Sequence, residues 1–425
     1  MLHSTRDQIA GSTVPDRPLS DTHTAVRQRR SEKDVRNTGV VARGIVTPIF
    51  RQGDDIVSII CDSLIETAKS EGFTLGDGDI VGVTEAVVGR VQGNYATLEQ
   101  ISKDVRAKFG GGALGIVFPI LSRNRFANIL RGVAGGCDKL YIQLSYPSDE
   151  VGNMFVDISV CDEKGVNPYT DSFTETEFRA VFGTETVHKF TGVDYIEYYK
   201  EIGGNCEIVF SNDPRFILNF TKNVLCCDIH TRMRTQSLIE KAGAARCLRL
   251  DEIMNKPVDG SGYSEYGLLG SNTATDNSLK LFPIGTKEFV LEVQAELKKR
   301  TGKTLEVMVY GDGCFKDPAG IWELADPVVS PAFTEGLSGK PNELKIKYIA
   351  DVDFADLSGE ALTESIRRRI RDKQENLVGS NVSLGTTPRN IHDLVGSLCD
   401  LVAGSGDRGT PIVLVQNYFK NYASE

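Results

Sequence analysis

Residues 286–310 carry the pattern that most restricts how this chain can fold. Thr286 stands as an N-cap for a segment in which Phe289, Val290, Val293 and Leu297 share one helical face. Its last turn is basic and Gly302 stops it. An apolar run, Leu305 to Tyr310, follows at once. A one-sided helix feeding a buried strand is the repeating unit of α/β proteins.

The same unit recurs along the chain. Ile56, Ile59, Ile60 and Leu64 make a helical stripe that ends at Gly72, and Ile80 to Val83 is the buried strand after it. The stretch after that strand, through Gly93, reads as a polar loop. A flexible glycine run at 110–112 leads into a strand, then a helix with Phe126, Ile129, Leu130 and Val133 on one face, then the strand "KLYIQL". From about 206 the alternation resumes with "CEIVF", a helix near "DPRFILNFTK", the strand "NVLCCDIH" and a further helix. Ile391, Leu394, Val395, Leu398, Leu401 and Val402 form the last helical stripe, and "TPIVLV" the last strand. The fold class expected is α/β, with α+β mixed sheets.

At 425 residues the chain exceeds one ordinary core, so more than one domain is expected. Residues 1–39 are polar and read as a disordered tail. Residues 40–147 form the first part of the core and 261–425 the second. The more polar stretch 148–260 reads as an inserted or enlarged lobe.

Composition removes several function classes. The net charge is −10, and one short basic run, Arg367 to Arg371, reads as a solvated helix face, so no nucleic-acid partner is expected. No apolar stretch approaches the roughly 20 residues of a membrane helix. Nine cysteines, an odd number without a CxxC pair, argue against a disulfide scaffold or zinc ribbon and fit a reducing cytoplasm.

Candidate chemistry sits where apolar runs end. "VMVYGDGCF" ends a strand in Asp312, held between Gly311 and Gly313. A carboxylate at the end of a strand in an open sheet either holds a hard cation bridging phosphates or caps a tight turn. Arg90, just past an earlier strand, is either a phosphate fork or a surface cation. "GLLGSNTATDN" offers Ser271 and Asn272, with Asp276 close by. The glycine loop "AGSGDRGTP" offers Asp407 as a metal ligand, without the lysine of a P-loop. "CCDIHTR" places Asp228 and His230 at alternate positions, able to co-ligate a metal if both lie on a strand. Cys314 reads as a buried thiol, His392 and Asp393 as a polar helix face, and Arg123, Arg125 and Arg131 as cations available to an acidic substrate.

Taken in order, "GIVTPIFRQGDDI", "VTEAVVGRVQG", "GLLGSN", "VYGDG" and "DLVGSLCDLVAGSGDRGTPIVLV" resemble the coenzyme F420-0:gamma-glutamyl ligase family. The resemblance covers about 40–100 and 262–425 and leaves 148–260 unmatched. It implies an amide ligase that joins L-glutamate, or another amino acid, to a phosphorylated or carboxylate acceptor. It further implies GTP or ATP as co-substrate, Mn²⁺ or Mg²⁺, an acyl-phosphate intermediate and a homodimer. Carried over, Asp312 and Arg90 take catalytic roles. Thr84, Glu85, Arg90, Asn272, Gly404, Gly406 and Gly409 bind the nucleotide, Asp312 holds metal, and Asp276, Asp228 or Asp407 stands in for a missing metal aspartate. The sequence departs from the family pattern where Leu269 replaces the first metal aspartate, Gly313 replaces a threonine, and Glu85 and Ala86 replace a Ser-Lys turn. Those departures leave open a catalytically altered, nucleotide-binding regulator, or a metalloenzyme built on residues 226–232.

Overall fold

The computed structural model describes residues 38–123, 125–183, 186–188, 191–311, 316–317, 320–321, 330–386, 389–404 and 406–424. Strand β1 (Val41–Ile45) is followed by α1 (Ile56–Glu71). Asp55 caps α1 by accepting from the Ser58 amide at 3.1 Å, and Gly72 ends it in the left-handed region. β2 (Ile80–Thr84), buried along its whole length, runs directly into α2 (Glu85–Gln92). The stretch expected as a polar loop is thus helical. Val88 and Val91 give it a buried face, and Gly93 closes it.

β3 (Tyr95–Thr97) leads through a capping box of Thr97 and Gln100 into α3 (Leu98–Phe109). β4 (Ala113–Val117), α4 (Phe126–Gly135) and β5 (Lys139–Leu144) follow. Next come α5 (Ile158–Lys164), β6 (Phe173–Thr174), α6 (Glu175–Phe182), α7 (Tyr195–Gly203) and β7 (Cys206–Phe210). Pro214–Asn219 is a 3₁₀ turn where a helix is expected; it precedes β8 (Asn223–Cys226), α8 (Arg232–Lys241) and β9 (Arg246–Arg249).

These strands make a six-stranded sheet in the order β6-β7-β5-β4-β8-β9. All neighbours are parallel except the edge strand β6. β7, β8 and β9, from the stretch 148–260, therefore share one sheet with β4 and β5. Its principal core gathers Leu114, Ile116, Leu130, Leu140, Ile142 and Phe210.

β10 (Asn272–Thr275) and β11 (Ser278–Lys280) form a hairpin that pairs with β3. Leu279, Leu281 and Ala96 from this small sheet enter the same core. α9 spans Thr286–Thr301, with Gly285 at its cap position, so Thr286 is the first helical residue and not the cap. β12 (Glu306–Tyr310), a short pair β13 (Lys316–Asp317) and β14 (Gly320–Ile321), and β15 (Ala332–Phe333) follow.

α10 (Ile346–Val352) and α11 (Gly359–Arg371) belong to a separate small unit, residues 341–388 with 419–424, packed on Ile349, Ile366, Ile370 and Leu377. Within it, the Arg367 guanidinium lies 5.6 Å from the Tyr422 ring centre.

The main unit is completed by α12 (Ile391–Val402) and β16 (Ile412–Gln416). The second sheet runs β1-β16-β2-β12-β15. Period-two alternation sorts its faces. Val81, Val83, Val307, Val309, Ile412 and Leu414 share a core with Ile60 and Leu64 of α1 and Val290, Val293 and Leu297 of α9. Ile80, Met308, Tyr310, Val413 and Val415 share the other with Val395 and Cys399 of α12. Gly82 faces α12, and a Cβ there would lie 2.5 Å from Cys399 Sγ.

Candidate functional site

β2 and β12 are the parallel pair of the five-stranded sheet, with Tyr310 opposite Thr84. Their carboxyl ends therefore open on the same edge. β16 runs antiparallel to β2, so its start arrives there too, and the Thr84 amide donates to Pro411 O at 3.1 Å. The Tyr310 hydroxyl reaches the same carbonyl at 3.4 Å. Register thus gathers Thr84, Gly311 and the glycine loop at one edge, although they are far apart in sequence.

That loop is a closed turn. Gly404 and Thr410 bridge, with the Thr410 amide 2.8 Å from Gly404 O and the Gly404 amide 3.3 Å from Thr410 O. Gly409 sits at φ +64°, where a side chain is strained. β1 supports the loop from behind: the Thr47 amide donates to Gly409 O at 3.2 Å, and Thr410 lies against Gly44 with only enough room for a glycine. Gly406 and Asp407 are exposed on its outer side.

Glu85 begins α2 and is 2% exposed. Its carboxylate accepts from Lys280 Nζ at 2.8 and 2.6 Å and from Asn272 Nδ2 at 3.5 Å. Asn272 and Lys280 face each other across the β10–β11 hairpin, which explains why both reach one carboxylate. Gly89, one turn along α2, faces Leu281 O and the Lys280 stem, and its lack of a side chain lets the hairpin approach. Lys280 has no place among the residues picked from sequence. The available signal was a lysine between Leu279 and Leu281 in an otherwise apolar run, a position where a charge must find a partner.

Other expected residues lie elsewhere. Arg90 is exposed, and its Nε donates to Phe50 O at 2.8 Å. Five residues along a helix from Glu85, it projects from a different face of α2. Asp276 is exposed in the hairpin turn, four residues and roughly 13 Å of strand from Asn272. Asp312 and Cys314 lie outside the described residues. Among the described residues, no group of three His, Cys, Asp or Glu side chains is placed to hold a metal. Leu269 is 2% exposed and belongs to the core of the six-stranded sheet, so an apolar contact stands where the resemblance expects a metal aspartate.

Residues 226–232 do not form a metal pair either. β8 ends at Cys226, so the alternation expected of Asp228 and His230 does not apply. Asp228 is buried and accepts from the Thr231 and Thr235 hydroxyls at 2.6 and 2.7 Å, whereas the His230 side chain is exposed. Burial is the main influence raising the Asp228 carboxyl above its ordinary value, and the two threonine hydrogen bonds oppose it. The cysteines 61, 137, 161, 206, 226, 227, 247 and 399 are free thiols. Burial raises the Cys61 and Cys137 thiols to about 11, which makes them poor nucleophiles.

Mixed sheets flanked by helices, with a buried ion pair at the end of a central strand, make an α/β core. The family model for F420-0:Gamma-glutamyl ligase matches residues 44–417, and the chain belongs to that family. The match runs through 148–260, which the resemblance in the sequence leaves unmatched. No curated protein matches. Among solved structures, the biosynthetic arginine decarboxylase SpeA from Campylobacter jejuni is similar at 9% identity and a TM-score of 0.13, over 78% of this chain and 61% of its own. A likeness at that level carries no argument. No described helix is long and apolar enough to cross a membrane.

Proposed function

We propose that this protein is a nucleotide- and divalent-metal-dependent amide ligase. In this reading it joins L-glutamate or a related amino acid to a small acceptor bearing a carboxylate or phosphate. The observation that carries the reading is the convergence of Thr84, Gly311 and the 404–410 turn at one sheet edge, with Asn272 held beside Glu85. Glycine-rich backbone at the carboxyl ends of parallel strands suits the close approach of a phosphate chain.

The chemistry proceeds in two stages. An acceptor carboxylate oxygen attacks the terminal phosphorus of GTP or ATP, and the nucleoside diphosphate leaves. The glutamate amine then attacks the acyl carbon, phosphate leaves with the C–O bond electrons, and the amine loses a proton. The protein's part is positioning. Lys280 keeps Glu85 neutralised as a pair, which fixes Asn272 toward the edge where the nucleotide lies. A metal ion, Mn²⁺ or Mg²⁺, supplies charge neutralisation when bound. The described residues alone do not make a metal cage, and Asp312 and Asp407 would hold the ion in this reading, as the family resemblance suggests. Asp276, at the hairpin tip, is left out of the set. A homodimer belongs to the same reading, measured as the mass in solution.

Purified protein with GTP or ATP, Mn²⁺ or Mg²⁺ and glutamate should release phosphate only when a suitable acceptor is added. Absence of nucleotide binding by calorimetry, with every metal tried, would sink the proposal. Leu269 favours a second reading, a family member that binds nucleotide without turnover. Binding without phosphate release across a broad acceptor panel would select it.

A further inference from the structure

The 404–410 turn carries a cation that the chemistry above does not use. Arg408 is exposed on it, one residue beyond the exposed Asp407. Among the described residues its guanidinium makes no hydrogen bond or ion pair, with Asp407 or with any other carboxylate. Arg106, Arg179, Arg249 and Arg300, by contrast, each hold an acidic side chain. A lone surface arginine would mean little if it were loose, but this one is held by its stem.

A Cβ on Gly404 would stand 2.5 Å from both Cβ and Cδ of Arg408 and 2.9 Å from its Cγ. The Arg408 stem therefore crosses the turn in the space that a side chain at 404 would fill. The backbone beneath it has a fixed shape, closed by the Gly404–Thr410 bridge and backed by the Thr47 amide on Gly409 O. Resting the stem there lowers the rotamer freedom still to be lost when the guanidinium meets a ligand. The turn stands where β2 and β12 end, since the Thr84 amide donates to Pro411 O, three residues past Arg408. Two other cations of this region have partners: Lys280 is bound to Glu85, and Arg90 donates through Nε to Phe50 O.

We infer that Arg408 grips the phosphate chain of the nucleotide, and that Gly404 is bare so that the Arg408 stem can lie across the turn. The planar guanidinium suits this task, because its fork of donors matches two phosphate oxygens at once. The inference rests on the nucleotide reading above and gives it a named cation, in the role that the resemblance assigns to Arg90.

The probes are tripolyphosphate, GTP and methyl phosphate, each titrated with Mg²⁺ into the full chain by calorimetry. Arg408→Met should weaken tripolyphosphate and GTP about tenfold or more, the effect of losing a charge-assisted contact. Arg408→Lys should weaken them less, since an ammonium keeps the charge and loses the fork. Gly404→Ala should also weaken both, and adding it to Arg408→Met should change little further, because it acts by displacing that stem. Lys303→Met is the control: Lys303 pairs with Asp77 before the start of β12, at the other edge of the sheet, and its loss should leave binding unchanged. In the unaltered protein tripolyphosphate should slow hydrogen exchange at residues 406–410, a reading that needs no variant to fold. No slowing there, equal affinity in Arg408→Met, or an equal loss in Lys303→Met overturns the inference. So does an Arg408 dependence confined to methyl phosphate, which would assign the residue to a phosphorylated acceptor. Arg408-dependent binding of tripolyphosphate without binding of GTP would sink the ligase reading and keep this site. Binding of both without Arg408 would do the reverse, and binding of neither would remove both.

Discussion

Lys280 and Glu85, 195 residues apart in the chain, form a buried ion pair 2.6 Å long that ties the β10–β11 hairpin to the first turn of α2. Both residues are nearly inaccessible, at 8% and 2% exposure. Removing one partner leaves the other charge uncompensated in a low-dielectric site. Lys280→Met is therefore expected to cost about 3–5 kcal/mol, read from urea unfolding. The double variant Lys280→Met with Glu85→Gln should recover most of that loss. A double variant as unstable as the single would show that the lysine acts through packing and not through charge.

Gly82 presents a second test, one of volume. A methyl group there would meet Cys399 Sγ at 2.5 Å and the Tyr310 ring at 3.2 Å. Gly82→Ala should destabilise the protein by about 1–3 kcal/mol through overpacking. Adding Cys399→Ala should return part of that stability by clearing the sulfur. Thermal unfolding of the two variants side by side provides the measurement.

His188 gives a pH dependence with a definite sign. Its Nδ1 accepts from the Thr191 amide at 3.2 Å, and its Nε2 lies 3.0 Å from Asn153 Oδ1, an arrangement that suits the neutral ring. Burial first, and then the charge of Arg123, hold the imidazole below its ordinary value of 6.5. Below 6.5 the unfolded chain takes up a proton that the folded one resists, so stability falls as pH drops through that value and flattens below the lowered one. Denaturant unfolding between about pH 5 and pH 8 should show this slope, and His188→Gln should reduce it. A slope unchanged in the variant would assign it to other groups.

Asp312 tests the proposed chemistry directly. Asp312→Asn keeps the shape and removes the charge, so metal-dependent nucleotide affinity should be lost while the unfolding midpoint stays put. Calorimetry with GTP and Mn²⁺, beside a thermal scan, reads both. Unchanged affinity would return this residue to the capping of a turn.

Much of the fold was legible where one face of an element is buried. The stripe of Phe289, Val290, Val293 and Leu297 and the run ending at Tyr310 were read correctly, because helix and strand periods are written directly in the apolar positions. Local rules failed where the signal is short. Val88 and Val91 make too brief a stripe to announce α2, and Pro214–Asn219 winds as a 3₁₀ turn. Among the candidate site residues, Asn272 and the glycine loop were visible as small or polar stretches beside apolar runs, whereas Thr84 came only from the family resemblance. Lys280 was not singled out, because its role depends on a carboxylate nearly two hundred positions away.

The sequence by itself determined the α/β class and the family, since periodicity, stop signals and ordered motifs are all local properties of the chain. The tertiary structure alone decided which strand ends share an edge, which charge meets Glu85, and that Leu269 faces an apolar core. Those facts follow from strand register and sheet order, which are fixed by the simultaneous burial of many distant side chains and not by any one segment.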